Sequence, residues 1–134
     1  MQKQGYSLGI VGSRYYNNYA EFSSVVNQIL SICAIPTKIV SGGHTDKRGN
    51  IKPGTDTLAW KWATENNIEI VEHNAEWDKY GRAAGPIRNK SIVKNSDVIL
   101  AFVLPNSVGT INTISLAQKD PSIRIYTYNI LEHI

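Results

Sequence analysis

The apolar segments of this chain predict a single α/β domain, residues 1–134, with a central parallel sheet flanked by helices. Three observations carry the expectation. Short apolar runs of strand length alternate with stretches of helical spacing from one end of the sequence to the other. Turns of small residues follow several of those runs. A length of 134 residues with 42% hydrophobic content supplies one core and is too short for two ordinary domains.

The first strand is expected over residues 7–11, a buried run ended by Gly12-Ser13-Arg14. An amphipathic helix over 19–32 follows, then a short strand over 38–40 that breaks at Ser41-Gly42-Gly43. Leu58, Ala59, Trp62 and Ala63 recur at helical spacing within 55–66, and 68–71 reads as the third strand. After a loop, a helix is expected to start at Pro86, followed by an apolar strand over 98–104, a helix over 109–119 and a last strand over 123–128. No repeat, low-complexity tract or linker interrupts this order.

Residues 81–89, Gly-Arg-Ala-Ala-Gly-Pro-Ile-Arg-Asn, hold the densest chemical signal. Proline suits the first turn of a helix, where its missing N–H costs nothing, and Gly85 allows a sharp turn just before it. Arg88 lies four residues before Ile92 and so shares the side of the helix that faces the sheet. An inward arginine needs an anion. Either a phosphate or carboxylate ligand at the helix start supplies it, or an internal Asp or Glu does.

In a parallel sheet, ligands bind beyond the carboxyl ends of the strands, where the chain order reverses. The turns at Gly12-Ser13-Arg14, Ser41-Gly42-Gly43 and Ser107-Val108-Gly109-Thr110 fall on that edge, and residues 81–89 enter from between the third and fourth strands. One crevice is therefore expected to gather Gly12, Ser13, Arg14, Gly42, Gly43, Asp56, Arg82, Arg88, Asn89, Gly109 and Thr110 as ligand-binding residues.

With these residues in view, the chain resembles the SLOG superfamily, in particular its YspA and cpYpsA-related branch, a Rossmann-like group that includes the lonely-guy phosphoribohydrolases and relatives of DprA. The resemblance covers nearly the whole chain. It runs through the two glycine turns, Gly54, Asp56, Ala59, Trp62, Ala63, Ala75, Trp77, residues 81–89, Asp97, Ala101-Phe102 and Gly109-Thr110. It implies a Rossmann-like domain binding a nucleotide or nucleotide-derived ligand, of nucleoside monophosphate or ADP-ribose type, as a binding or sensing module. Turn amides would hold phosphate and Arg88 would clamp it. Two departures stand out. The phosphoribohydrolases carry Pro-Gly-Gly-x-Gly-Thr-x-x-Glu, whereas this chain reads Pro105-Asn106-Ser107-Val108-Gly109-Thr110-Ile111-Asn112-Thr113, with Thr113 in place of the glutamate. Threonine supplies no carboxylate for N-glycoside hydrolysis. Residues 44–53 are also inserted where the family has a short turn, and are read as a lid or a mobile surface excursion.

The alternative function is a nucleotide N-glycoside hydrolase with Glu76 as the catalytic acid–base residue, beside the arginine segment and shielded from water by Trp77. A DNA-binding role by analogy with DprA is the weaker alternative, because the net charge of +3 is spread along the chain with no basic run. His44, His73 and His133 show no metal spacing, so no metal and no cofactor are expected. A single cysteine, Cys33, and the lack of a membrane-length apolar run indicate a cytoplasmic protein without a membrane partner. Trp60 lies about 200° from Trp62 around their helix. It is expected to mark an exposed surface for homo-oligomerisation. Tyr15 and Tyr16, after the first glycine turn, are read either as base-stacking groups or as packing on a neighbouring helix.

Overall fold

The computed structural model describes residues 5–130. Five strands, β1 (Ser7–Gly12), β2 (Lys38–Gly42), β3 (Glu69–His73), β4 (Val98–Val103) and β5 (Arg124–Asn129), alternate with helices α1 (Tyr19–Cys33), α2 (Thr55–Glu65), α3 (Trp77–Tyr80), α4 (Ala84–Lys94) and α5 (Val108–Gln118). The strands form one sheet in the order β3-β2-β1-β4-β5, and every pairing is parallel. The chain is thus an α/β domain with the expected Rossmann-like layout. Its order reverses between β1 and β4.

Parallel strands need both faces covered, and the sequence provides two sets of apolar side chains to do so. On one face, Phe22, Val26 and Ile29 of α1 and Leu58, Trp62 and Ala63 of α2 pack on Leu8, Ile10, Ile39, Leu100 and Phe102. Phe102 stacks on both Tyr16 and Phe22, with ring centroids 5.4 and 4.8 Å apart. On the other face, Ile92 and Val93 of α4 and Ala117 of α5 pack on Val11, Val40, Ile99 and Ala101. At the amino edge of the sheet, Asp97 Oδ2 accepts the Ser7 N–H at 2.8 Å and ties β4 to β1.

Four features differ from the sequence reading. The loop after β3 contains the one-turn helix α3 and a 3₁₀ turn, Gly81–Ala83. That turn leads directly into α4, which starts at Ala84, so Gly85 and Pro86 lie inside the helix. The sharp reversal falls at Gly81, whose φ of 57° favours glycine. Gly85 instead makes room for Trp77: a Cβ there would stand 3.3 Å from the indole. Residues 44–53, in turn, are folded back on themselves. Thr45 and Ile51 form an antiparallel bridge, and Asp46 Oδ1 accepts the N–H groups of Arg48 and Asn50 at 2.9 Å each.

Finally, Trp60 is half-buried rather than exposed, because the His44 ring lies flat on it, 4.2 Å away at an interplanar angle of 6°. That removes the exposed anchor on which self-association through this helix was expected to rest. Of the two tyrosines, Tyr16 is buried in the core and its hydroxyl donates to Glu21 at 2.7 Å, while Tyr15 is exposed beneath the Arg14 guanidinium. Among the described residues, no helix is long and apolar enough to cross a membrane.

Candidate functional site

Two consecutive residues of α4 build the polar centre at the carboxyl edge of the sheet. Arg88 Nε donates to Asn89 Oδ1 at 3.1 Å, and Arg88 Nη1 donates to the His73 carbonyl at 3.5 Å. Asn89 is buried and its amide donates to Gly109 O at 3.3 Å and Asn112 Oδ1 at 3.0 Å. A single run of hydrogen bonds therefore joins the end of β3 to the first turn of α5. Thr113 Oγ1 also donates to Gly109 O, at 3.2 Å, and so closes a helical turn.

The Arg88 guanidinium and the Asp56 carboxyl group each lie over Gly42. A Cβ on Gly42 would overlap both Arg88 Nη1 and Asp56 Oδ2, so only glycine leaves room for them. Burial raises the Asp56 pKa above its ordinary 3.8, while Arg88, Lys52 and the Gly42 N–H act in the opposite direction. No ion pair to Arg88 within 4.0 Å occurs among the described residues, so its hydrogen bonds go to neutral acceptors.

A cleft of about 390 Å³ opens on the β3 side of Arg88, with His73, Asn74, Glu76, Tyr80 and Ser91 among its walls. Its volume lies in the usual range for small-molecule sites. His73 is the unusual member, because its Nε2 is shielded from solvent and has no hydrogen-bond partner. Burial lowers the imidazole pKa below its ordinary 6.5, and the Arg88 charge lowers it further, both favouring the neutral ring.

The residues expected to share one crevice are dispersed over several places. Arg88, Asp56 and Gly42 cluster as described, with Arg88 and Glu76 on the cleft wall. Asn89, Gly109 and the buried Thr110 belong to the α4–α5 contact. Gly12 packs against Thr55 and Phe102, while Ser13 O accepts the Thr55 hydroxyl at 2.8 Å and Ser13 Oγ the Tyr15 N–H at 3.0 Å. The Arg14 backbone crosses closely over Gly54, Gly43 lies against Asn74, and Arg82 is exposed. None of these four glycines, at 12, 42, 43 and 109, lines the cleft itself. Glu76 is exposed and lies 4.0 Å from Lys79 rather than under Trp77, whose ring is turned toward Gly85.

The start of α4 also differs from a free anion-binding helix terminus, since the Ala84 N–H is already bonded to Gly81 O. Among the described residues, no group of three or more His, Cys, Asp or Glu side chains is placed to hold a metal ion. His133 lies outside them. Sequence reasoning missed His73, Asn74 and Tyr80. Position immediately after the third strand was the available signal, because strand carboxyl ends supply the walls of such sites.

The geometry defines an α/β domain with an arginine-walled cleft at the carboxyl edge of a parallel sheet. No family model and no solved structure matches the chain. Among curated proteins it is similar to the Gene 61 protein of Mycobacterium phage D29, with 39% identity over 72 residues. The match covers 49% of this chain and 58% of the phage protein, less than two thirds of that protein's length.

Proposed function

We propose that this protein binds a phosphorylated, nucleotide-type ligand in the cleft beside Arg88, as a binding or sensing module of the SLOG kind. The observation that carries the reading is Arg88, a cation with only neutral hydrogen-bond partners, on the wall of a ligand-sized cleft. Charge in the cleft favours a small anion: Glu76 shares the wall and repels a highly charged one. A nucleoside monophosphate or an ADP-ribose-type molecule meets that condition better than a triphosphate. Thr113 in place of a carboxylate supports binding without turnover.

The test is isothermal titration of the protein with AMP and ADP-ribose. Arg88→Ala is expected to weaken binding by about ten- to a hundredfold, the effect of losing a charge-assisted hydrogen bond in a partly desolvated site. Unchanged affinity would remove Arg88 as the anion clamp. A second reading, hydrolysis of the N-glycosidic bond through Glu76, draws on the presence of that carboxylate in the same cleft. Chromatography of the incubated nucleotide decides between them. A free base that Glu76→Gln fails to release supports the hydrolase.

A further inference from the structure

The space over Gly42 separates a donor from an acceptor. Arg88 Nη1 and Asp56 Oδ2 both border it, each so close that a Cβ on residue 42 would collide with it. Yet the two groups form no ion pair, since among the described residues no carboxylate oxygen lies within 4.0 Å of the guanidinium. Two polar atoms that border one methyl-sized space but stand beyond direct hydrogen-bond reach leave a gap that a single oxygen atom bridges. That oxygen must accept from Arg88 and donate to Asp56. A hydroxyl or a water does both, whereas a carbonyl or an ionised phosphate oxygen has no proton to give a carboxylate.

The gap is open and adjoins the cleft. Asp56 is partly exposed, and the Gly42 N–H is the hydrogen-bond donor that acts on its carboxyl. The oxygen left over is not sealed in, because among the described residues the buried side-chain nitrogen or oxygen without a partner is His73 Nε2. Two residues of the cleft wall, Arg88 and Glu72, are near enough for their charges to act on Asp56. Arg88 belongs to both places. Its Nε and Nη1 are bonded to Asn89 and the His73 carbonyl, and among the described residues Nη2 makes no hydrogen bond. Nη2 thus suits the anionic group of a ligand, while Nη1 borders the gap over Gly42.

We propose that Asp56 is a specificity-determining ligand contact, whose carboxyl, with Arg88 Nη1 beside it, takes a sugar hydroxyl of the ligand over Gly42. This rests on the cleft being the ligand site. The ligand class is then a phosphate ester whose sugar keeps a free hydroxyl. An analogue without that hydroxyl keeps the phosphate clamp and loses the second contact.

The full chain is titrated with AMP and with dideoxy-AMP, which lacks both ribose hydroxyls, and each variant's thermal midpoint is measured without ligand. The wild type is expected to bind AMP about tenfold or more tightly than dideoxy-AMP, the effect of a hydrogen bond to a charged group. In Asp56→Ala that preference is expected to vanish, through weaker AMP binding at unchanged dideoxy-AMP binding. Asp56→Asn keeps an acceptor without the charge, and its preference is expected to fall between the two. Equal affinity of the wild type for both nucleotides leaves water in the gap and overturns the assignment, with the cleft reading intact. So does a preference that survives in full in Asp56→Ala or, where the alanine variant does not fold, in Asp56→Asn. Equal weakening toward both nucleotides in Asp56→Ala marks Asp56 as a support for Arg88 and also overturns it. Failure of the wild type to bind either nucleotide removes the cleft reading and this inference together.

Discussion

Asp56 gives the site its own dependence on pH. Burial raises its pKa, and the nearby Arg88 and Lys52 charges and the Gly42 N–H only oppose that shift. A carboxyl whose pKa is higher folded than unfolded stabilises the fold fully below its unfolded value, and that contribution is lost as pH rises through the folded value. The isosteric Asp56→Asn does not ionise. The thermal midpoint of Asp56→Asn minus that of the wild type is therefore expected to become more positive from pH 4 to pH 8, and a flat or falling difference would contradict the raised pKa. Arg88 was legible in the sequence because its four-residue offset from Ile92 fixes its side of α4. His73 was not, since nothing local to a strand's last residue reports the cleft that helices 77–80 and 84–94 close over it. Glu76 shows the converse. Its nearness to Trp77 in sequence suggested shielding, but Glu76 is exposed beside Lys79 while the Trp77 ring lies against Gly85.

At the scale of elements, the segment 44–53 is held by contacts from three directions. His44 stacks on Trp60 of α2 and pairs with Glu72 of β3, Thr57 Oγ1 donates to Lys52 O, and Lys47 Nζ donates to Asp78 of α3. His44 is the shared point of the first two. Its replacement by alanine is expected to speed hydrogen exchange at Arg48, Asn50 and Lys52 by about tenfold or more, with the α1 core unchanged. Exchange as slow as in the wild type would show that the Asp46 turn suffices alone. The long elements were legible because buried parallel strands read as apolar runs and α1 carries a helical stripe. Residues 77–83 were not, because a single turn is too short for periodicity. Gly85-Pro86 suggested a helix boundary, but glycine there answers the size of a distant indole, which local pattern does not report. Trp60 was placed correctly on a second face of α2. His44, a non-local partner from the segment 44–53, stacks over it.

For the molecule as a whole, the alternation of strands and helices announced the parallel sheet, while the strand order had to come from three dimensions. That order, with β1 between β2 and β4, also sets what the chain can do while it is being made. Translation delivers β1, β2 and β3 early, and these can pair among themselves. The other edge of β1, from Leu8 to Gly12, has no partner until residues 98–103 leave the ribosome. Val11 and Val40 likewise wait for Ile92, Val93, Ile99, Ala101 and Ala117, all late in the sequence, to cover their face. For most of its synthesis the polypeptide thus carries an open apolar edge, the condition in which unfinished chains aggregate or recruit chaperones. Ribosome-bound chains with residues 1–94 emerged are expected to be cut by protease within the first three strands, and those with β5 emerged to resist. Equal resistance at both lengths would mean that the amino-terminal half closes without its central partner.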